Sequence, residues 1–152
     1  MVSGSPRSDR GASAVEFALV LPLLLMFLFG IIQYGYGLFQ LQALSATADE
    51  ATQKAATGIS DCGVFSGTLR GLADGNGLDV DKLKAVQVQW RAEDGTLTDR
   101  PDPRGQAQVT VSLTPLKIGF PLIPFPDTLR ATRVAAVQSI GDLELAGCSV
   151  RL

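Results

Sequence analysis

The feature that most constrains this chain is a gap in its charges. From Phe17 to Ala48 no acidic or basic side chain occurs. Within that gap Phe17 to Ile32 is unbroken apolar sequence; Gln33 interrupts it, and Tyr34 to Phe39 carry it on. As a helix, Phe17 to Phe39 is about 34 Å long at 1.5 Å per residue, enough to cross a hydrocarbon core of roughly 30 Å. Tyr34 and Tyr36 fall at its far end, where amphipathic rings prefer the headgroup level. Arg7 and Arg10 precede the segment, and Asp49, Glu50 and Asp61 follow it. That asymmetry predicts a cytoplasmic N-terminus, with the rest of the chain across the membrane.

Three ordinary readings fit such a stretch. It is a cleaved secretory signal, with ALSA (residues 43–46) before Thr47 as a small-residue cleavage site; or a plain single-pass anchor; or the buried helix of a soluble protein. The apolar part is longer than a signal core of about 7–15 residues. Glu16 also stands at its entrance, and an acid beside a long apolar run is expensive in lipid unless it has a partner or a job.

The block RGASAVEFALVLPLLLMFLFGIIQYG, residues 10–35, closely resembles the N-terminal signature of the TadE-like minor pilins. These are components of the tight-adherence branch of type IV pilus systems. The resemblance covers about residues 10 to 45. It implies that a prepilin peptidase cuts between Gly11 and Ala12, leaving Glu16 at the fifth mature position and Phe17 after it. It further implies other pilins and inner-membrane assembly proteins as partners, the lipid bilayer as surroundings, and a head on the periplasmic side. A proline within the apolar helix, here Pro22, is shared with archetypal pilins. Lacking an N–H and crowding the carbonyl of Ala18, Pro22 is expected to bend the helix or loosen one turn. In a bundle, Glu16 could neutralise the new α-amine of a neighbour's Ala12, offsetting the burial of its charge. As a lone helix N-terminal acid it would instead complement the macrodipole.

Beyond the bilayer the helix is predicted to continue. Leu38, Leu41, Leu44 or Ser45, Ala48, Ala51 or Thr52, and Ala55 recur every three or four residues, with Gln40, Gln42, Asp49, Glu50, Gln53 and Lys54 around them. Gly58 suits the position just after its end. Residues 1–11 then form a leader, 12–58 the long helix with its span at 17–39, 59–78 a connector and 79–152 a head. Glycines at 63, 67, 71, 75 and 77 argue against a helix in the connector.

In the head, Val86, Val88 and Trp90 alternate with polar residues through Leu83 to Arg91, with an extension at Thr96 to Thr98. Ala107, Val109, Val111 and Leu113 alternate through Gln106 to Thr114, and a further strand is expected over Leu129 to Ser139. A short one is expected at Leu143 to Leu145. The fold class is α+β: a long transmembrane and amphipathic helix with a small C-terminal antiparallel sheet of three to four strands, one face wet and the other covered by the helix. The segment PLKIGFPLIPFPD (115–127) is neither a regular strand nor a solvated loop. Its Phe120, Leu122, Ile123 and Phe125 either cap the core edge or meet the membrane or a neighbouring subunit.

Little chemistry is on offer. The 152 residues hold no histidine and carry a net charge of −2, which removes histidine-based catalysis and gives no basic field for nucleic acid. The acids near Asp74 lack calcium-loop spacing, and Asp79, Asp81, Glu93, Asp94, Asp99 and Asp102 read as solvated loop acids. No enzyme, cofactor, metal or small-molecule substrate is expected. The two cysteines, Cys62 and Cys148, would form a disulfide in an exported head, tying the C-terminus to the exit of the helix.

Overall fold

The computed structural model describes residues 8–58, 61–98, 102, 104–116, 124–138 and 149–150. Its first element, α1 (Ser8–Ala56), is a single helix of 49 residues, about 73 Å long. It begins before Ala12 and runs without interruption through Gly11 and Pro22. It ends where the sequence predicts. Thr57 N–H donates to the Gln53 carbonyl at 3.0 Å, and Gly58 takes φ 105°, a conformation that favours glycine.

The connector differs from expectation. Cys62–Gly75 is a second helix, α2. Asp61 caps it, accepting from the N–H groups of Gly63 (2.7 Å) and Val64 (2.9 Å), an arrangement worth about 1 kcal/mol. Phe65, Leu69 and Ala73 recur every four residues and are buried, and each large side chain so buried contributes about 1.5–3 kcal/mol. Gly63, Gly67, Gly71 and Gly75 also recur every four residues, on the exposed side. Each interior glycine costs about 1 kcal/mol relative to alanine. One well-filled apolar face and a cap therefore outweigh the glycines. Asn76 Nδ2 donates to Thr47 Oγ1 at 3.1 Å and joins the end of α2 to α1.

After a short 3-10 turn (Val80–Lys82) come β1 (Leu83–Arg91), β2 (Leu97–Thr98), β3 (Gln106–Leu113), β4 (Leu129–Ala136) and β5 (Ser149–Val150). The strand order is β2-β1-β3-β4, all antiparallel, with β5 also pairing β1. The strand expected at Leu143 to Leu145 lies outside the described residues. Val88 faces Val109, and Trp90 faces Ala107. Val86, Val88, Trp90, Ala107, Val109, Val111 and Leu113 are all buried, so the alternation identified the core face correctly. Thr110 and Thr132 share a hydrogen bond of 3.0 Å between β3 and β4 on the wet face. The whole is the α+β, pilin-like arrangement expected from the sequence.

The outer half of α1 lies on β3 and β4, with α2 beside it. Its buried stripe is mostly small: Ala43, Leu44, Thr47, Ala48, Ala51, Thr52, Ala55 and Ala56. Two tethers close the contact. Gln138 N–H donates to the Ala56 carbonyl at 3.1 Å, satisfying a helix-end acceptor. Arg133 Nε on β4 meets Asp49 Oδ1 on α1 at 2.8 Å, a half-exposed pair worth at most about 1 kcal/mol.

Candidate functional site

Gly11, Ala12, Glu16 and Phe17 sit on the first turns of α1 and are all exposed. A Cβ at Gly11 would meet nothing within 4 Å. From Val15 to Phe39 most large side chains face outward, and the most apolar window has a mean hydropathy of 2.6 with none of it buried. A soluble core helix would be covered, so that reading is set aside. This helix is long and apolar enough to cross a membrane. Arg10 belongs to α1, whereas Arg7 lies outside the described residues.

Between the exposed span and the head, the polarity of α1 is inverted. Gln33 and Gln40 are buried at 3% and 4% exposure, while Leu38 and Phe39 are at least half exposed. The expected face, which placed Leu38 inside and Gln40 outside, is therefore rotated in this region. The seam follows Gly30, Gln33, Gly37, Gln40, Leu44, Thr47 and Ala51 at alternating spacings of three and four. That pattern suits a helix of membrane-spanning length and apolarity. Where lipid surrounds a helix, apolar side chains gain little by turning inward, and small residues permit close protein packing. Among the described residues, the Oε1 atoms of Gln33 and Gln40 are buried without a hydrogen-bond partner.

What packs against this seam is the end of the proline-rich segment. Tyr34 Oη donates to the Pro124 carbonyl at 2.6 Å. The Tyr34 and Phe125 rings meet edge to face, centroids 5.7 Å apart and planes at 68°. Phe125 lies directly over Gly37, where an added Cβ would fall 2.7 Å from Cε2 and nearer still to Cζ. Below Pro124 a groove of about 500 Å³ opens along Leu23, Phe27, Gly30, Ile31 and Tyr34. Phe125 thus leans on the helix rather than capping the sheet, whereas Phe120, Leu122 and Ile123 lie outside the described residues.

The loop acids have structural employment. Lys82 Nζ lies 3.0 Å from Asp79 Oδ2, and this hydrogen bond holds the Asp79 carboxyl below its ordinary value. Asp94 is likewise lowered by the Thr96 hydroxyl, 2.6 Å away, and by the Thr96 N–H. Among the described residues, no three potential metal ligands come together. A small polar cleft between Gln87, Thr110, Ser112 and Arg130 lies on the wet face of the sheet; there Ser112 Oγ donates to the Ala85 carbonyl. Cys62, at the start of α2, is disulfide-bonded; Cys148 lies outside the described residues.

A family model described as TadE-like protein matches residues 11–53, beginning at Gly11 and stopping three residues before α1 ends. Over these residues the N-terminal helix is similar to the TadE-like family. No curated protein matches the chain, and no solved structure does. Together, the TadE-like match and the pilin-like architecture support a general minor-pilin or pseudopilin role. Two features of this TadE-like helix escape a reading by apolar periodicity: the inverted seam and its contact with Phe125. The three-four spacing of Gly30, Gln33, Gly37 and Gln40 is the signal that marks the first. Nothing local marks the second, because Pro124, the neighbour of Phe125 that Tyr34 holds, is 90 residues from Tyr34.

Proposed function

We propose that this chain is a minor pilin or priming subunit of a tight-adherence type IV pilus, processed by a prepilin peptidase between Gly11 and Ala12. The observation that carries the reading is the placement of Gly11, Glu16 and Phe17. They stand at the entrance of an exposed apolar helix whose other end is built into the head. Helix and head are one structural piece, so cleavage at the leader would leave the fold intact while freeing an α-amine at Ala12. Glu16 is the residue to pair with such an amine on a neighbouring subunit. In this reading the leader and its arginines face the cytoplasm, the head is periplasmic, and Cys62 bonds Cys148 in an oxidising compartment. Such a clip would contribute about 3–5 kcal/mol by restricting the unfolded chain. The chain's partners would be the peptidase, other pilins and inner-membrane assembly proteins.

A signal peptide ending at Ala46 fits the fold poorly. It would remove Leu44, which is fully buried, and cut α1 within its contact with the sheet. The intact mass and N-terminal sequence of the protein from membranes provide the test. A start at Ala12 is expected; a start near Thr47 or a retained leader would overturn the processing. Glu16→Ala, scored separately for cleavage and for incorporation with other pilins, is expected to be cut yet fail to assemble. Normal assembly would remove the pairing role, and non-reduced protein with two free thiols would remove the disulfide.

A further inference from the structure

We propose that Pro124, Phe125 and Pro126 form a foot of the head that inserts into the head-side leaflet of the bilayer. Clasped to α1 at Tyr34 and Gly37, the foot would cover a phospholipid acyl chain lying in the groove beneath it. The inference rests on the reading of α1 as a membrane span, and adds a second contact with lipid made by the head itself.

Depth along α1 supports it. Measured from Phe17, Tyr34 stands about 26 Å up the helix and Gly37 about 30 Å. A hydrocarbon core of roughly 30 Å ends at this level, so the Tyr34 contact with Pro124 falls just inside the core and Phe125 at its edge. The chemistry of the segment suits that depth. Irregular backbone is costly in lipid because its N–H and C=O groups lack water. Pro124 and Pro126 have no N–H to satisfy, and the Pro124 carbonyl accepts from Tyr34 Oη. Tyr34 would be an interfacial aromatic whose hydroxyl turns inward to hold the foot.

The groove favours lipid over a polar ligand. Its walls of Leu23, Phe27, Gly30, Ile31 and Pro124 are apolar, and the hydroxyl of Tyr34, its one side-chain polar group, is already engaged. From Leu23 to Tyr34 it follows the helix for about 17 Å; its upper part, from Phe27 near the midplane to Tyr34, runs about 10 Å within the head-side leaflet. A phospholipid acyl chain of the head-side leaflet, its methyl end at the midplane beside Phe27, is the occupant that suits this upper part and its apolar walls.

The full chain reconstituted in phosphatidylcholine vesicles tests this, with acyl chains brominated either near the carbonyl end or near the terminal methyl. Trp90, the single tryptophan, is fully buried in the head and supplies an unquenched baseline. In Phe125→Trp the added emission is expected to be quenched, more by bromine near the carbonyl end than near the methyl. Phe27→Trp reports on the span itself: it lies about 15 Å from Phe17, near the midplane, and its quenching should show the opposite order. Quenching at 27 without quenching at 125 overturns the foot and leaves the span standing, including the case in which a second copy covers Phe125. Quenching at neither position removes the span, and the foot with it. Because tryptophan is larger than phenylalanine, Pro126→Trp provides a second probe beside an undisturbed Phe125, read by the same criterion.

Discussion

Gly37 and Phe125 form a pair whose energetics follow from the geometry. Substituting Gly37→Ala places a methyl group against the Phe125 ring, 2.7 Å from Cε2 and nearer to Cζ. The ring must move, and its edge-to-face contact with Tyr34 limits where it can go. Overpacking of this kind costs about 1–3 kcal/mol. Helix propensity does not offset it when the protein is unfolded in a micelle, because the apolar part of α1 stays helical there both before and after the head unfolds. In Phe125→Ala, by contrast, the methyl meets open space and Gly37→Ala should be close to neutral. Phe125→Ala alone forfeits the aromatic pair, worth about 0.5–1.5 kcal/mol beyond burial. The coupling of the two sites is therefore expected at about 1–3 kcal/mol, well beyond the 0.3–0.5 kcal/mol within which independent sites add. Thermal or denaturant unfolding in detergent, followed by Trp90 emission, measures it. For a head of this size each kcal/mol shifts Tm by about 4–8 °C. Additive losses across the four variants would refute the docking of Phe125 on Gly37.

Gln40→Leu is expected to stabilise the head by about 1–3 kcal/mol, because it removes a buried acceptor that has no partner among the described residues; a loss of stability in the same unfolding assay would argue against it. Leu44→Ala, at a fully buried position between helix and sheet, should cost about 2–5 kcal/mol, and an unchanged midpoint would deny that α1 belongs to the core of the head. The carboxyls of Asp79 and Asp94 are both lowered from 3.8 in the folded state. The stability they add is thus complete above that unfolded value and lost as pH falls through the lower folded values. Midpoints should be insensitive to Asp79→Asn and Asp94→Asn in their pH slope at neutrality, while below about pH 4 the acid-induced loss is shallower in the variants than in the parent.

Much of the architecture was written locally. The alternation of Val86, Val88 and Trp90, and of Ala107 to Leu113, requires one dry face, and a two-residue period leaves no choice of which side chains fill it. The charge gap from Phe17 to Ala48 likewise marks a helix long and apolar enough to cross a membrane. The TadE-like signature from Gly11 to Phe17 is contiguous, so its residues could be located before any fold was known.

The remainder depended on neighbours distant in sequence. Glycines at every fourth position of residues 63–75 speak against a helix, yet α2 forms, because Phe65, Leu69 and Ala73 find α1 and the sheet to pack against and Asp61 supplies the cap. The seam of α1 could not be assigned by hydrophobicity, since that criterion presumes apolar side chains turned inward, and here Gln33, Gly37 and Gln40 are buried while Leu38 and Phe39 are exposed. The apolar, proline-rich sequence around Phe125 was equally compatible with the edge of the sheet and with a membrane. Its place beside Tyr34 and Gly37 was decided by tertiary structure, because a contact across ninety residues depends on how far the head leans down the helix, and no local periodicity encodes that distance. The amino-acid sequence by itself determined the long apolar helix, the TadE-like signature and the dry face of the sheet, whose causes lie within a few residues of one another. Only the folded chain decided which side of the span the head holds.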